Sequence, residues 1–263
     1  MKNILDEIIA HKKKEVEERK SLYPVKLLEK SIYFPSPTVS LRKYIQRTDK
    51  SGVIAEIKRK SPSKGILNNN VSIERTSIGY MQAGASALSI LTDNKFFGGS
   101  NEDLTIARKF NFCPILRKDF TIDEYQVIEA KSIGADAILL IAAALEGKTA
   151  ERLATFAHTL GLEVLLEVHD EEELKQTLDV DADLVGVNNR SLKTFEVSIE
   201  VSKRLAPLIP KDKVKVSESG LSDPALIGEL KKWGYEGFLI GETFMKNGRP
   251  EEAAMEFIKH IDT

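Results

Sequence analysis

Four charged side chains stand at the ends of short aliphatic runs, and their placement suggests proton-transfer chemistry. Glu56 and Lys58 close VIAEIK (53–58), Lys118 closes CPILRK (113–118), and Glu167 lies near the end of EVLLEV (163–168). If each run is a β-strand, side chains alternate between faces. Ile54, Glu56 and Lys58 then share one face, as do Leu116 and Lys118, and Leu165, Glu167 and His169. Gly186, Asn188 and Arg190 continue the pattern. The opposite parity, Ala55/Ile57, Leu166/Val168 and Val185/Val187, is apolar. Read alone, any one of these charges is a solvated loop residue or half of a structural ion pair. Two lysines and two glutamates converging on one end can shift each other's pKa values and suit general acid–base catalysis.

Three loops add binding chemistry. The basic stretch Lys58-Arg-Lys-Ser-Pro-Ser-Lys-Gly65 follows the first run. It reads as a solvated turn or as a local anion site; no aromatic is interleaved to stack bases. Ser217-Glu-Ser-Gly220 and Ile240-Gly-Glu-Thr243 follow the last two runs. Gly220 and Gly241 allow close backbone approach, which fits a phosphate held between neighbouring loops. Phe96-Phe97-Gly-Gly99 is either half-buried packing or an apolar wall for an aromatic ligand. Cys113 and Trp233 read as packing residues, and His169, without an evident partner, as structural. Asn189 receives no role.

Something must hold these ends together. Eight runs recur: 53–58, 87–92, 113–118, 137–142, 163–168, 184–189, 214–219 and 237–242. Their starts are spaced by (237 − 53)/7 ≈ 26 residues, the length of a strand, a helix and two turns. Strands alternating with helices imply parallel βαβ units. Thr121-Ile-Asp-Glu124 reads as a capping box, Asp223-Pro224 as an N-cap with proline at the first helical position, and Gly134, Gly161 and Gly234 as C-caps. Eight units predict a closed (β/α)₈ TIM barrel, whose sites lie at the C-terminal ends of the strands. An open doubly wound sheet is the alternative, but no GxGxxG follows the first strand. The expected organisation is an α/β barrel over 49–263 with a helical N-terminal extension over 1–48. In the extension Ile4, Leu5, Ile8 and Ile9 form an apolar stripe, with Val16 further along, and Leu41-Tyr44-Ile45 suggests a second short helix. It either packs on the barrel or covers the open end and shapes the site.

Composition removes other classes. The chain has 263 residues, which suits one barrel of roughly 250 residues, and a net charge of −2. A protein coating nucleic acid would be more basic. Cys113 is alone, so an internal disulfide and a Cys₄ zinc site are excluded, and His11, His158, His169 and His260 show no HxxH or HExxH spacing. The longest apolar run, Ala137 to Leu145, has nine residues, against about 20 for a membrane helix. The acidic residues Asp6, Glu7, Glu15, Glu17 and Glu18 argue against a secretory or transit leader, so the expected location is the cytoplasm.

AEIKRKSPSKG (55–65), SILTDNKFFGGS (89–100), PILRKDF (114–120), LLEVH (165–169), GVNNRSLKTFEV (186–197), SESG (217–220) and FLIGETFM (238–245) occur in this order. Together they resemble the motifs of the indole-3-glycerol phosphate synthase family across essentially the whole chain. The resemblance implies ring closure of 1-(2-carboxyphenylamino)-1-deoxyribulose 5-phosphate with loss of CO₂ and water. It implies Lys118 and Lys58 as cationic acids and Glu167 as the acid/base of dehydration. Glu56 would position Lys58, and Asn188 would hydrogen-bond the substrate. Ser61 and Arg190 would lie at the substrate carboxylate. Ser219, grouped with the catalytic residues, would lie at the phosphate with Gly220, Gly241 and Glu242. Phe97, Phe120, Leu91, Leu139 and Leu239 would wall the aromatic ring. Some members of the family have serine where this chain has Glu242, whose carboxylate should not face a phosphate. No metal, nicotinamide or flavin is implied, and the expected partner is a small-molecule substrate, with no nucleic acid or membrane, for a monomer or weak dimer. The alternatives are a Schiff-base or pyridoxal-phosphate barrel and a non-catalytic sugar-phosphate-binding barrel.

Overall fold

Each aliphatic run forms a strand because its β-branched and leucine side chains fill two apolar layers, one on each face. The computed structural model describes residues 4–192 and 194–261. The strands are β1 (Val53–Ile57), β2 (Ala87–Leu91), β3 (Ile115–Lys118), β4 (Ala137–Ile141), β5 (Glu163–Val168), β6 (Leu184–Asn188), β7 (Val214–Glu218) and β8 (Tyr235–Ile240). Each pairs in parallel with the next, and β8 returns to β1 through Val53↔Phe238 and Ala55↔Ile240, closing the barrel. Ile54, Leu116, Leu139, Leu165, Leu184, Val216 and Leu239 pack inside it. Ala55, Ile57, Leu166, Val168, Val185 and Val187 pack in the layer beneath the helices. The two parities therefore fall as the sequence predicts.

Between the strands run α4 (Ile73–Gln82), α5 (Asn101–Phe110), α6 (Glu124–Ser132), α7 (Gly147–Thr159), α8 (Glu171–Gln176), α9 (Glu200–Leu205), α10 (Pro224–Lys231) and, after β8, α11 (Glu242–Met245) and α12 (Pro250–Lys259). Asp223 caps α10 by accepting from the Ala225 amide, and Pro224 opens that helix. Gly134, Gly161 and Gly234 turn the chain at φ of +92°, +74° and +82°. The capping box at Thr121 does not form. Asp123 caps α6 instead, accepting from the Tyr125 amide at 2.9 Å. The reason is Gln126, whose amide accepts from the Ile122 N–H at 2.8 Å and donates to the Phe120 carbonyl at 2.9 Å, holding residues 120–122 as a turn outside the helix. Trp233, expected to pack, is 45% exposed. The basic loop after β1 contains an antiparallel hairpin, Lys60–Ser61 with Gly65–Ile66, that sequence patterning does not reveal.

The N-terminal segment runs from one end of the barrel to the other. In α1 (Ile4–Leu22) the buried positions are Leu5, Ile8, Lys12 and Val16, so the stripe runs through a lysine. The chain then descends along α6. The Tyr125 hydroxyl donates to the carbonyls of Arg19 and Tyr23, and Lys20 pairs with Asp123. After α2 (Val25–Leu28), Thr38 donates to the Gly161 carbonyl, and the Val39 amide donates to Asp136 at 2.8 Å. The short helix α3 (Leu41–Ile45) then places Leu41 and Ile45 against the interior cluster, beside the strand starts Ala137, Leu184 and Val214. Glu163 fixes it by accepting from the Arg42 amide and the Ser40 hydroxyl.

Candidate active site

At the C-terminal ends of the strands the inward-facing side chains turn from aliphatic to charged. Lys118, the last residue of β3, reaches across the mouth. Its ammonium lies 3.0 Å from Glu167 Oε2 and 2.5 Å from Glu218 Oε2. Burial opposes the charge on Lys118, but Glu167, Glu218 and Glu56 together raise its pKa above the usual lysine range. It is therefore protonated at neutral pH.

The two carboxylates around it differ. Burial pushes the Glu167 carboxyl up, but the Lys118 ammonium and His169 outweigh it, leaving Glu167 well below the usual range. Asn188 adds a donated hydrogen bond to Glu167 Oε1 at 3.0 Å. Glu218 is pushed up to about 7, first by burial and then by Glu167, against the pull of Lys118. Its second oxygen is buried without a hydrogen-bond partner among the described residues. One carboxylate thus stays ionised while the other titrates near neutrality, the divergence expected of an acid–base pair.

Glycine makes room for the acidic groups. A Cβ on Gly186 would lie 2.3 Å from Glu218 Oε1, and one on Gly241 would lie 2.4 Å from Glu56 Oε1. Gly241 therefore accommodates a carboxylate as well as adjoining the last loop. Glu56 accepts from the Lys58 ammonium at 2.5 Å. Lys118 and Lys58 are thus each held by carboxylates rather than left free to roam.

His169, read from the sequence as lacking an evident partner, has two carboxylates beside it. Its Nε2 lies 3.3 Å from Glu167 Oε1, and its Nδ1 lies 3.0 Å from Glu173 on α8. Burial disfavours its charge, but the two carboxylates raise its pKa to about 10, so the ring is cationic. Neither Glu218 nor His169 stood among the sequence candidates. Both share the inward parity of their strands, which was the available signal. For His169 the missing element was Glu173, one helical turn beyond the strand.

The remaining candidates complete the enclosure. All six candidate catalytic residues and all ten candidate binding residues line one cavity at the barrel mouth. On one side, Phe97 and Phe120 lean together with ring centroids 5.9 Å apart, and Leu91, Leu139 and Leu239 extend this wall. Phe96 instead sets its ring against the edge of His11, at 5.7 Å, and does not line the cavity. Ile4, Leu5 and Ile8 of α1 close over the top. On the other side, Ser61 of the hairpin and Arg190 face the loops after β7 and β8. Glu242 turns its carboxylate to Arg190, at 3.1 Å, and toward Lys64, at 3.7 Å. Ser219 holds a left-handed backbone with φ of +67°, a strained conformation for a residue with a Cβ, and precedes Gly220 at +76°. Asn189 points away from the cavity, into a buried hydrogen-bonded group with Ser202 and Ser217.

The arrangement offers proton donors and acceptors beside an apolar wall, with cationic side chains at the rim. Comparison with known proteins gives it a context. The sequence profile of the indole-3-glycerol phosphate synthase family matches residues 5–257. An indole-3-glycerol phosphate synthase of Bacteroides thetaiotaomicron is 50% identical over 99% of this chain and 100% of its own. Those of Campylobacter curvus and Caldanaerobacter subterraneus are 42% and 43% identical, covering 92% and 98% of this chain and 94% and 98% of their own. A solved structure titled "Native KDPGal structure" superposes with a TM-score of 0.57 at 15% identity, covering 80% of this chain and 92% of that one, which shows the shared fold.

Proposed function

Because the chain belongs to the indole-3-glycerol phosphate synthase family, the decarboxylating lyases of tryptophan biosynthesis, we propose how its residues divide that reaction. Lys118 is the acid of ring closure. The anilino ring carbon bearing the carboxylate attacks the ribulose-derived carbonyl carbon, and Lys118 gives its proton to the carbonyl oxygen as the new bond forms. A lysine of raised pKa is a weak acid toward water but a sufficient one toward a developing alkoxide. Glu218 then returns a proton to Lys118 across their short contact, a downhill transfer because neutral lysine is the stronger base. Loss of CO₂ returns its bonding electrons to the ring and restores aromaticity. In the last step Lys58, held by Glu56, assists departure of the hydroxyl group as water. Glu167 takes the proton from the adjacent ring carbon, completing the indole double bond.

Asn188 orients Glu167 and the substrate. Ser61 and Arg190 receive the substrate carboxylate. Ser219, Gly220, Gly241 and the backbone of Glu242 receive the phosphate, and Phe97, Phe120, Leu91, Leu139 and Leu239 wall the anthranilate ring. Holding ring and carbonyl in contact supplies several kcal/mol of barrier reduction. We further propose a cytoplasmic monomer or weak dimer with no nucleic-acid or membrane partner, in keeping with a biosynthetic family and a net charge of −2. No helix among the described residues is long and apolar enough to cross a membrane.

The observation that carries the assignment of roles is the enclosure of one ammonium between two carboxylates of opposite protonation tendency. It is tested by turnover of the purified chain with the ribulose phosphate substrate in the presence of a chelator, followed by indole fluorescence. The expected result is product formation that borohydride does not arrest. Arrest with a covalent adduct would support the Schiff-base reading, and binding without turnover the sugar-phosphate-binding one.

A further inference from the structure

The most enclosed lysine of the described chain lies outside the reacting groups. Lys12 of α1 has no solvent exposure. Its ammonium lies 3.0 Å from Asp93 Oδ2 and 2.9 Å from Asp119 Oδ1, both fully enclosed, and 3.1 Å from Glu15 at the rim. Burial opposes its charge, and the carboxylates outweigh that cost, so it is cationic.

Each deep partner does a second job. Asp93 Oδ1 accepts from the amides of Phe96, at 2.7 Å, and Phe97, at 3.3 Å. Asp119 Oδ1 accepts from the amide of Phe120 at 2.8 Å. These carboxylates therefore set the backbone of the two loops that present Phe97 and Phe120 to the cavity, and one ammonium ties them together. Asp119 also continues into a buried chain, through Arg117 at 3.4 Å to Glu129 at 2.5 Å, which ends on Arg19 of α1. The helix thus grips the loop after β3 at both ends of one network. Ile8, one turn before Lys12 on the same face, lies over the cavity.

We propose that Lys12 is a positioning residue that fixes the separation of Phe97 and Phe120, and so the affinity for the aromatic half of the ligand. The inference rests on the reading of the site given under Proposed function. Without the ammonium, Asp93 keeps only its backbone donors and Asp119 only Arg117, Thr92 and the Phe120 amide, so two buried carboxylates lose the cation that joins them, and the loops must part or admit water.

The test compares two ligands on folded protein, with thermal unfolding as the control. Indole-3-glycerol phosphate, followed by its fluorescence, uses the aromatic wall; glycerol 3-phosphate uses only the phosphate end. Lys12→Met is expected to weaken the first by about 10-fold and the second by less than about 2-fold, the scale of losing an aromatic contact. Lys12→Arg should recover most of the loss, because the charge returns. Equal weakening of both ligands, or a lower Tm with both affinities kept, would overturn the proposal. If Lys12→Met does not fold, Asp93→Asn keeps the acceptor for the Phe97 amide but removes one charge from the clamp. It should give the same one-sided loss, and an unchanged ratio of affinities would overturn the proposal. Wild-type protein that binds no indole-3-glycerol phosphate would instead defeat the reading of the site, and the proposal with it.

Discussion

Lys118 and His169 flank Glu167 from two sides, and the pH behaviour of the reaction should record both. His169 is cationic because Glu167 and Glu173 overcome its burial and raise its pKa to about 10. Its folded value is above the ordinary value of about 6.5, so the stability it contributes is complete below pH of about 6.5 and is lost as pH rises through 10. In His169→Gln that alkaline loss should disappear from the pH dependence of unfolding. Catalysis should move as well. Glu167 lies low partly because of the imidazolium, so removing it raises the Glu167 pKa and shifts the acidic limb of kcat to higher pH. Superimposable kcat profiles would show that His169 only packs. A second residue-scale prediction concerns Gly186. An alanine there would bring its Cβ to 2.3 Å from Glu218 Oε1 and force that carboxyl off Lys118. Misplacement by an ångström can cost about 100-fold, so Gly186→Ala should lower kcat by at least about 10-fold. The kcat and Tm of the same preparation, measured together, separate this from unfolding. Glu218 was legible in principle, because Val214, Val216 and Glu218 alternate like Ile54 and Glu56. It lies inside SESG, whose glycine points to phosphate binding rather than to a carboxylate in the barrel.

Among the elements, α1 and α3 carry the most consequence for the site. Helix α1 covers the mouth, while α3 closes the opposite end with Leu41 and Ile45. The division at residue 48 groups both in one extension, although α3 packs with the barrel interior. Removing residues 1–22 should leave a folded barrel with raised KM, because Ile4, Leu5 and Ile8 leave the mouth and Lys12 leaves Asp93 and Asp119. Leu41→Ala should cost about 2–5 kcal/mol of stability with little change in KM, as expected for a buried leucine. Urea unfolding and steady-state kinetics on the two proteins distinguish the ends; a Leu41→Ala protein of unchanged stability would contradict the plug. The eight strands were readable because their aliphatic periodicity is local. The burial of Lys12 was not, since its partners at positions 93 and 119 are brought to it only by barrel closure. Thr121 illustrates the limit within a single loop. Asp123 competes for the helix start, and Gln126 decides the outcome from inside the helix.

For the molecule as a whole, a closed parallel barrel gathers charges from β1, β3, β5 and β7 at one end and leaves leucines, valines and isoleucines below them. Adjacent groups then hold different protonation states at one pH, which a sequence of acid and base steps requires. In the proposed division of those steps, Lys118 serves ring closure and Glu167 dehydration. Lys118→Met should lower kcat by at least about 100-fold, the low end for loss of a general acid, with KM much less changed because carboxylate and phosphate contacts remain. The most direct test is rapid-quench analysis of Glu167→Gln, which keeps the side chain's size and removes its titrating group. This division of roles predicts slow turnover and accumulation of a ring-closed, decarboxylated, still hydroxylated intermediate. Normal turnover, or a stall before CO₂ release, would contradict it, the latter placing the role of Glu167 in the charge state of Lys118 at the first step.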